Sequence, residues 1–242
     1  CIPSIEKYTK CKHKIYVVAY MFSKENLAEL KTKYPQVVIV ESNEIRGFSE
    51  NNNLALKQVT SEFVFIQNDD TEYKEPVLDK LLEAYKKTSK ATIMAPKLLL
   101  GNGATQFCGI RKFDFLTFIL ATCGIHKLSK SIFENGSGIF KTYNVSGAAF
   151  LIKTADFRKI DFFDERYFFS PEDIAVSTRI NKEGGACYTD ANTCIVHYHG
   201  VSSKKTKLFY ATTCATFLGN YIFYCDNIIK QAVYKSLLYL KY

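Results

Sequence analysis

Residues 37–73, VVIVESNEIRGFSENNNLALKQVTSEFVFIQNDDTEY, hold two β-rich runs on either side of a polar, Asn-rich stretch. VVIVE (37–41) and EFVFIQ (62–67) have the β-branched and aromatic content of strands, and 49–58 between them has helical spacing. The second run stops abruptly at Asn68, Asp69 and Asp70. In an open α/β sheet ligands bind just beyond the carboxyl ends of the strands, which is where these acids stand. Two readings follow. The first is an Asx-rich turn whose side chains bond the local backbone. The second makes Asp70 a ligand of a hard divalent cation, Mg²⁺ or Mn²⁺, which relieves the repulsion between neighbouring carboxylates and can grip a diphosphate.

Outward from this stretch the same alternation continues. KIYVVAY (14–20) reads as a strand, 23–33 and 76–88 as helices with Pro76 in the first turn of the latter, and ATIMAP (91–96) as a further strand. The pattern predicts βαβ units in a mixed, mostly parallel central sheet flanked by helices. From 98 to 140 it weakens: GNGATQ and ENGSG mark turns, and FDFLTFIL fits either a strand or a buried helix. VSGAAFLI (145–152) resumes the strands, a helix runs from Ser170-Pro171-Glu172 to Lys182 with Gly184-Gly185 as its stop, and TCIVHYH (193–199) is a strand. From 204 onward apolar residues recur at helical spacing, giving one or two C-terminal amphipathic helices. We therefore divide the chain into a domain at 1–203 and a helical extension at 204–242 packed on it.

The 242 residues are 47% hydrophobic, enough to bury one large core or two small ones. A net charge of +8 suits nucleic acid, anionic lipid, a phosphorylated substrate or no partner at all. Its local excess lies at the end, where Lys204, Lys205, Lys207, Lys230, Lys235 and Lys241 face only Asp226. That segment either packs on the domain or lies on an anionic membrane. Eight cysteines without a CxxC pair or regular spacing point to a reducing compartment, hence a cytoplasmic protein. No apolar run reaches the ~20 residues of a membrane span, so the chain is expected to be soluble or peripheral at the inner face of a membrane.

Two further stretches carry candidate chemistry. In SPEDIAVSTRI (170–180), Glu172 and Asp173 occupy a first helical turn, where the helix dipole favours acids; Asp173 is alternatively a general base that takes a proton from an acceptor hydroxyl. In CIVHYHG (194–200), His197 and His199 point to one face of a strand and could address one ion. A zinc site with Cys187 and Cys194 is opposed by the absence of CxxC or HxxxH spacing and by Cys194 projecting from the opposite face.

The order of these blocks resembles the family 2 glycosyltransferases, in their rhamnosyltransferase-like branch. The resemblance rests on Gly47-Phe48, Asn52-Asn53 and Asn68-Asp69-Asp70-Thr71, then Pro96, Lys97, Gly103, Gln106 and Gly109, then 144–185 with its SGA, FDE and ED groups, and VHYHGVSS (196–203). It spans roughly 4–227 and implies a GT-A fold and an inverting, metal-dependent transfer. The donor would be a UDP- or dTDP-sugar, and the acceptor a saccharide or lipid-linked molecule in surface polysaccharide synthesis. Carried over to these positions, Asp70 and His197 hold Mn²⁺ or Mg²⁺, Asp173 is the base with Glu172 beside it, and Asn43, Gly47, Asn52, Asn68, Asp69 and Gly147 line the donor site. Gly147 would let the backbone approach the sugar closely, and Asp69 would shape the turn. A nucleic-acid partner is not expected, because acids crowd the cleft and no recognition motif is present.

One departure stands out. Members of the family begin with a strand and helix before a second strand ending in D-N-x-S-x-D. KIYVVAYMFSKENL fits that second strand, with Ala19-Tyr20 in place of D-N, and CIPSIEKYT fits the tail of the preceding helix. The first strand of the fold is thus expected to be missing, unless KIYVVAY is itself that strand. A non-catalytic nucleotide-sugar or glycan-binding relative is the alternative function.

Overall fold

The structure is a computed structural model that describes residues 1–125, 133, 135–198 and 207–241. Helix α1 (Ile2–Tyr8) precedes β1 (Tyr16–Tyr20), α2 (Lys24–Lys33), β2 (Val38–Ser42) and α3 (Phe48–Leu56). Then come β3 (Phe63–Gln67), β4 (Thr71–Glu72), α4 (Val77–Lys87), β5 (Ile93–Leu99) and β6 (Thr105–Phe107). After α5 (Phe115–Thr122) follow β7 (Ile139–Thr142), β8 (Ala149–Lys153), α6 (Thr154–Lys159), α7 (Glu172–Lys182) and β9 (Cys187–His197). Two helices, α8 (Lys207–Tyr224) and α9 (Ile228–Lys241), end the described chain.

The expected βαβ start is present, since β1 and β2 pair in parallel. The larger sheet corrects the expectation of mostly parallel pairing. Its order is β3-β8-β5-β9-β4, with β6 on β5 and β7 on β9, and only β5 and β9 run parallel. β8, distant in sequence from both, lies antiparallel between β3 and β5. Local alternation cannot reveal such an inserted strand.

A second expectation concerned the missing first strand. The chain's first helix is α1, as CIPSIEKYT suggested, and its first strand is β1. The two-stranded β1–β2 sheet shares no ladder with the seven-stranded one.

The run FDFLTFIL resolves as helix α5, started by Asp114, whose side chain accepts from the Thr117 backbone N–H (3.0 Å). The boundary set at 203 falls outside the described residues. So does His199.

Near-continuous apolar runs in the central strands are explained by burial on both faces. In β8, Phe150 and Ile152 join one core with Phe157, Phe163 and Val176, while Leu151 joins the other with Val77, Leu81 and Met94. Residues 77, 81, 84 and 85 of α4 are buried at the spacing that lays one helical stripe on the sheet. A third cluster joins Phe118 of α5 to Tyr224 and Tyr234 of the terminal helices.

Candidate functional site

The site forms where the carboxyl ends of β3 and β9, the hairpin of β6 and the amino ends of β8 and α7 meet. The antiparallel register Gln67↔Ala149 places Asn68 beside Ala148, and the Asn68 N–H donates to the Ala148 carbonyl at 3.0 Å. β4 pairs with β9 through Thr71↔His197, which carries Asp70 to the buried His197. Asp70 Oδ1 lies 3.1 Å from His197 Nε2.

The other ring nitrogen of His197 fixes the chemistry of this pair. Nδ1 is 2.9 Å from Gln106 Oε1, an atom that only accepts, so Nδ1 carries a proton. A protonated ring then pairs its Nε2–H with the buried Asp70 Oδ1, while a neutral ring turns the Nε2 lone pair toward it. In the neutral form the two atoms can share one cation. Ligands ~2.1 Å from an octahedral ion and at right angles stand ~3.0 Å apart, close to the spacing found, so Asp70 and His197 fit adjacent positions on one divalent ion. No group of three or more acidic, His or Cys residues that could hold a metal occurs among the described residues. Among the described residues Cys187 and Cys194 join no such group, and His199, the other member of the zinc reading, lies outside them.

Across the Asn68–Ala148 link lie the paired acids of α7. The Gly147 N–H donates to Asp173 Oδ2 (3.0 Å) and the Ile174 N–H to Asp173 Oδ1 (2.7 Å). Desolvation raises the Asp173 pKa, and these two N–H groups oppose the rise. Glu172 is pushed up to about 7, first by desolvation and then by the charge of Asp173. Its Oε2 is buried with no partner among the described residues. Burial thus raises both carboxyls, and the two titrate as a coupled pair.

The family model "Glycosyl transferase family 2" matches residues 22–105. Among solved structures, the crystal structure of GalNAc-T7 with UDP, GalNAc and Mn2+ superposes on 81% of this chain with a TM-score of 0.63 at 15% identity. The chain has the GT-A fold. It spans 40% of the length of that relative. No curated protein matches it in sequence.

Within this GT-A frame the expected residues fall into two groups. Asp70, His197, Asn68, Gly147, Glu172 and Asp173 are brought together by the contacts above. The others make local contacts or stand at the surface. Asn52 donates to the Phe48 carbonyl (2.9 Å), Asn43 is exposed just past β2, and Asp69 is exposed in the turn. Gly47 opens α3 against the 168 turn, where a Cβ would come 2.4 Å from Phe168 O, so only glycine fits. Gly147 is held to Asp173 by its N–H, which gives it a role beyond the close approach expected of it.

Sequence reading passed over two residues. Gln106 was only a letter of a motif until its bond to His197 gave it a place. Asn53 clamps the loop before α7, donating to Phe163 O (2.9 Å) and accepting from Phe163 N (3.1 Å). A buried Asn in an Asn-rich helix start was the available signal.

Proposed function

We propose that the protein is an inverting, metal-dependent glycosyltransferase of the rhamnosyltransferase-like kind. It would move a sugar from a UDP or dTDP donor to a saccharide or lipid-linked acceptor of a surface polysaccharide, on the cytoplasmic side of a membrane. The observation that carries this reading is the Asp70–His197 pair set across one backbone bond from the Glu172–Asp173 pair, in a GT-A fold. Asp70 and His197 would hold Mn²⁺ or Mg²⁺, and the ion, when bound, supplies charge neutralisation for the departing diphosphate. Asp173 takes the proton of the acceptor hydroxyl as that oxygen attacks the anomeric carbon. The Gly147 and Ile174 N–H groups orient the Asp173 carboxylate for this and hold it in place. Glu172 Oε2 stands beside it to accept a further hydroxyl of the acceptor. Asn68 and Asp69 shape the donor side, with Asn43, Gly47 and Asn52 on the β2–α3 flank.

Binding of UDP and dTDP by calorimetry, with and without Mn²⁺, tests the donor and metal together. Binding that Mn²⁺ strengthens in the parent and fails to strengthen in Asp70→Ala is expected. Tight binding regardless of metal in the parent would remove the metal from the proposal. The second reading, a non-catalytic nucleotide-sugar binder, is favoured by the separation of β1–β2 from the main sheet. Product formed from any donor and a saccharide acceptor excludes it.

A further inference from the structure

The outward face of the terminal helices is apolar to a degree that a solvated surface seldom is. On α8 the exposed positions are Ala211, Cys214, Leu218 and Ile222, three or four residues apart, and no charged residue occurs from 208 to 225. On α9, Ile228 is 76% exposed, Ile229 73% and Tyr239 88%, with Val233 beside them. The opposite faces are already used, since Tyr224 and Tyr234 are buried against Phe118. No helix among the described residues is long and apolar enough to cross a membrane.

The charge of the segment selects what covers this face. From 204 to 242 six lysines stand against the single Asp226. Lys235 lies over the ring of Tyr221 (5.6 Å), and Lys230 pairs with Asp226 (2.9 Å) while lying over Phe115 (5.5 Å). We propose that α8 and α9 dock flat on an anionic lipid surface, the apolar face entering the boundary between headgroups and acyl chains and the lysines meeting lipid phosphates. A second copy of the chain fits less well, because a two-fold contact would set the same lysines against each other.

The docked helices would also touch the site. Gly219 lies so close to the turn before α7 that a Cβ there would come 2.0 Å from Ser170 O, the carbonyl of the cis Ser170–Pro171 bond. Docking therefore holds the Glu172–Asp173 end of the cleft within about one helix diameter, ~10 Å, of the lipid. That this presents a lipid-linked acceptor to Asp173 rests on the transferase reading above; the docking does not.

Co-sedimentation with vesicles of phosphatidylglycerol, and separately of phosphatidylcholine, at ~0.1 M salt tests the proposal. The expected result is sedimentation with the anionic vesicles only, weakened tenfold or more by Leu218→Asp with Ile222→Asp, and weakened also by Lys235→Glu or by raised salt. The chain has no Trp, so Leu218→Trp gives a single tryptophan that can be excited selectively over the 16 tyrosines; its emission should shift to the blue on anionic vesicles and be quenched by brominated acyl chains. Circular dichroism of each variant separates lost docking from lost folding. No sedimentation of the parent, with a Leu218→Trp emission that vesicles do not move, overturns the proposal. So does a concentration-dependent dimer in light scattering that Leu218→Asp dissolves, which would give the face to a second copy. Neither result bears on whether UDP binds with Mn²⁺.

Discussion

The two sheets of this molecule are held by different means. The seven-stranded sheet is buried on both faces, with Ile93, Met94, Phe150, Ile152 and Ile195 all fully enclosed. The β1–β2 sheet carries one strongly buried side chain in each strand, Ala19 and Ser42, and the helix between them, α2, buries none. Rigid packing therefore surrounds the acids and His197, while the flank nearest Asn43 has little apolar area to resist opening. The chemistry is assigned to the part of the fold that cannot yield, and the adaptable part is left to whatever ligand meets it.

The largest expected effect tests the rigid side. Asp173→Asn should leave UDP binding intact and lower transfer by ~10²–10⁴, the usual worth of a positioned base; a sugar-transfer assay with unchanged rate would take the base role from Asp173. Next, Leu81→Ala should cost ~2–5 kcal/mol in urea unfolding, since Leu81 is fully buried between α4 and the seven-stranded sheet.

Glu172→Gln addresses pH. A carboxyl raised from 4.5 in the unfolded chain to about 7 in the fold binds more protons when folded, so it costs stability as pH rises through that window. The variant should be the more stable protein at pH 8, by about 3 kcal/mol at most, and should match the parent near pH 4. Equal melting temperatures at pH 8 would show that Glu172 is not desolvated. Gln106→Leu should weaken Mn²⁺ binding by ~10–100-fold, read by titration of the free-ion paramagnetic signal, with Gln106→Glu restoring most of it. The smallest effect belongs to the loose side: Leu30→Ala in α2 should cost below ~1 kcal/mol, and a loss equal to that of Leu81→Ala would erase the contrast between the sheets.

How much of this was legible depends on the range of the interaction. Strand and helix identities followed from local patterns, as in EFVFIQ and in the stripe 77, 81, 84, 85. The Asp70–His197 pairing spans the chain and came only through resemblance, because no local spacing joins two residues that a β4–β9 ladder brings together. Gln106 was present in the motif without a role, since an amide's meaning depends on which ring it faces. FDFLTFIL could not be assigned because a run apolar all round has no period. The mostly parallel sheet was misjudged because β8 enters between β3 and β5 from a distance in sequence.

The Asn68–Ala148 bond has a consequence for how such a site can change. It is one rung beyond the β3–β8 ladder, so the span from Asp70 to Asp173 is set by strand register and not by side-chain length. Register is discrete: a slip of one residue would turn Phe150 and Leu151 to each other's faces and undo both cores. The separation of the Asp70–His197 and Glu172–Asp173 pairs is in effect digital, while the loops around it are free to drift, which lets specificity evolve without disturbing the reacting distance.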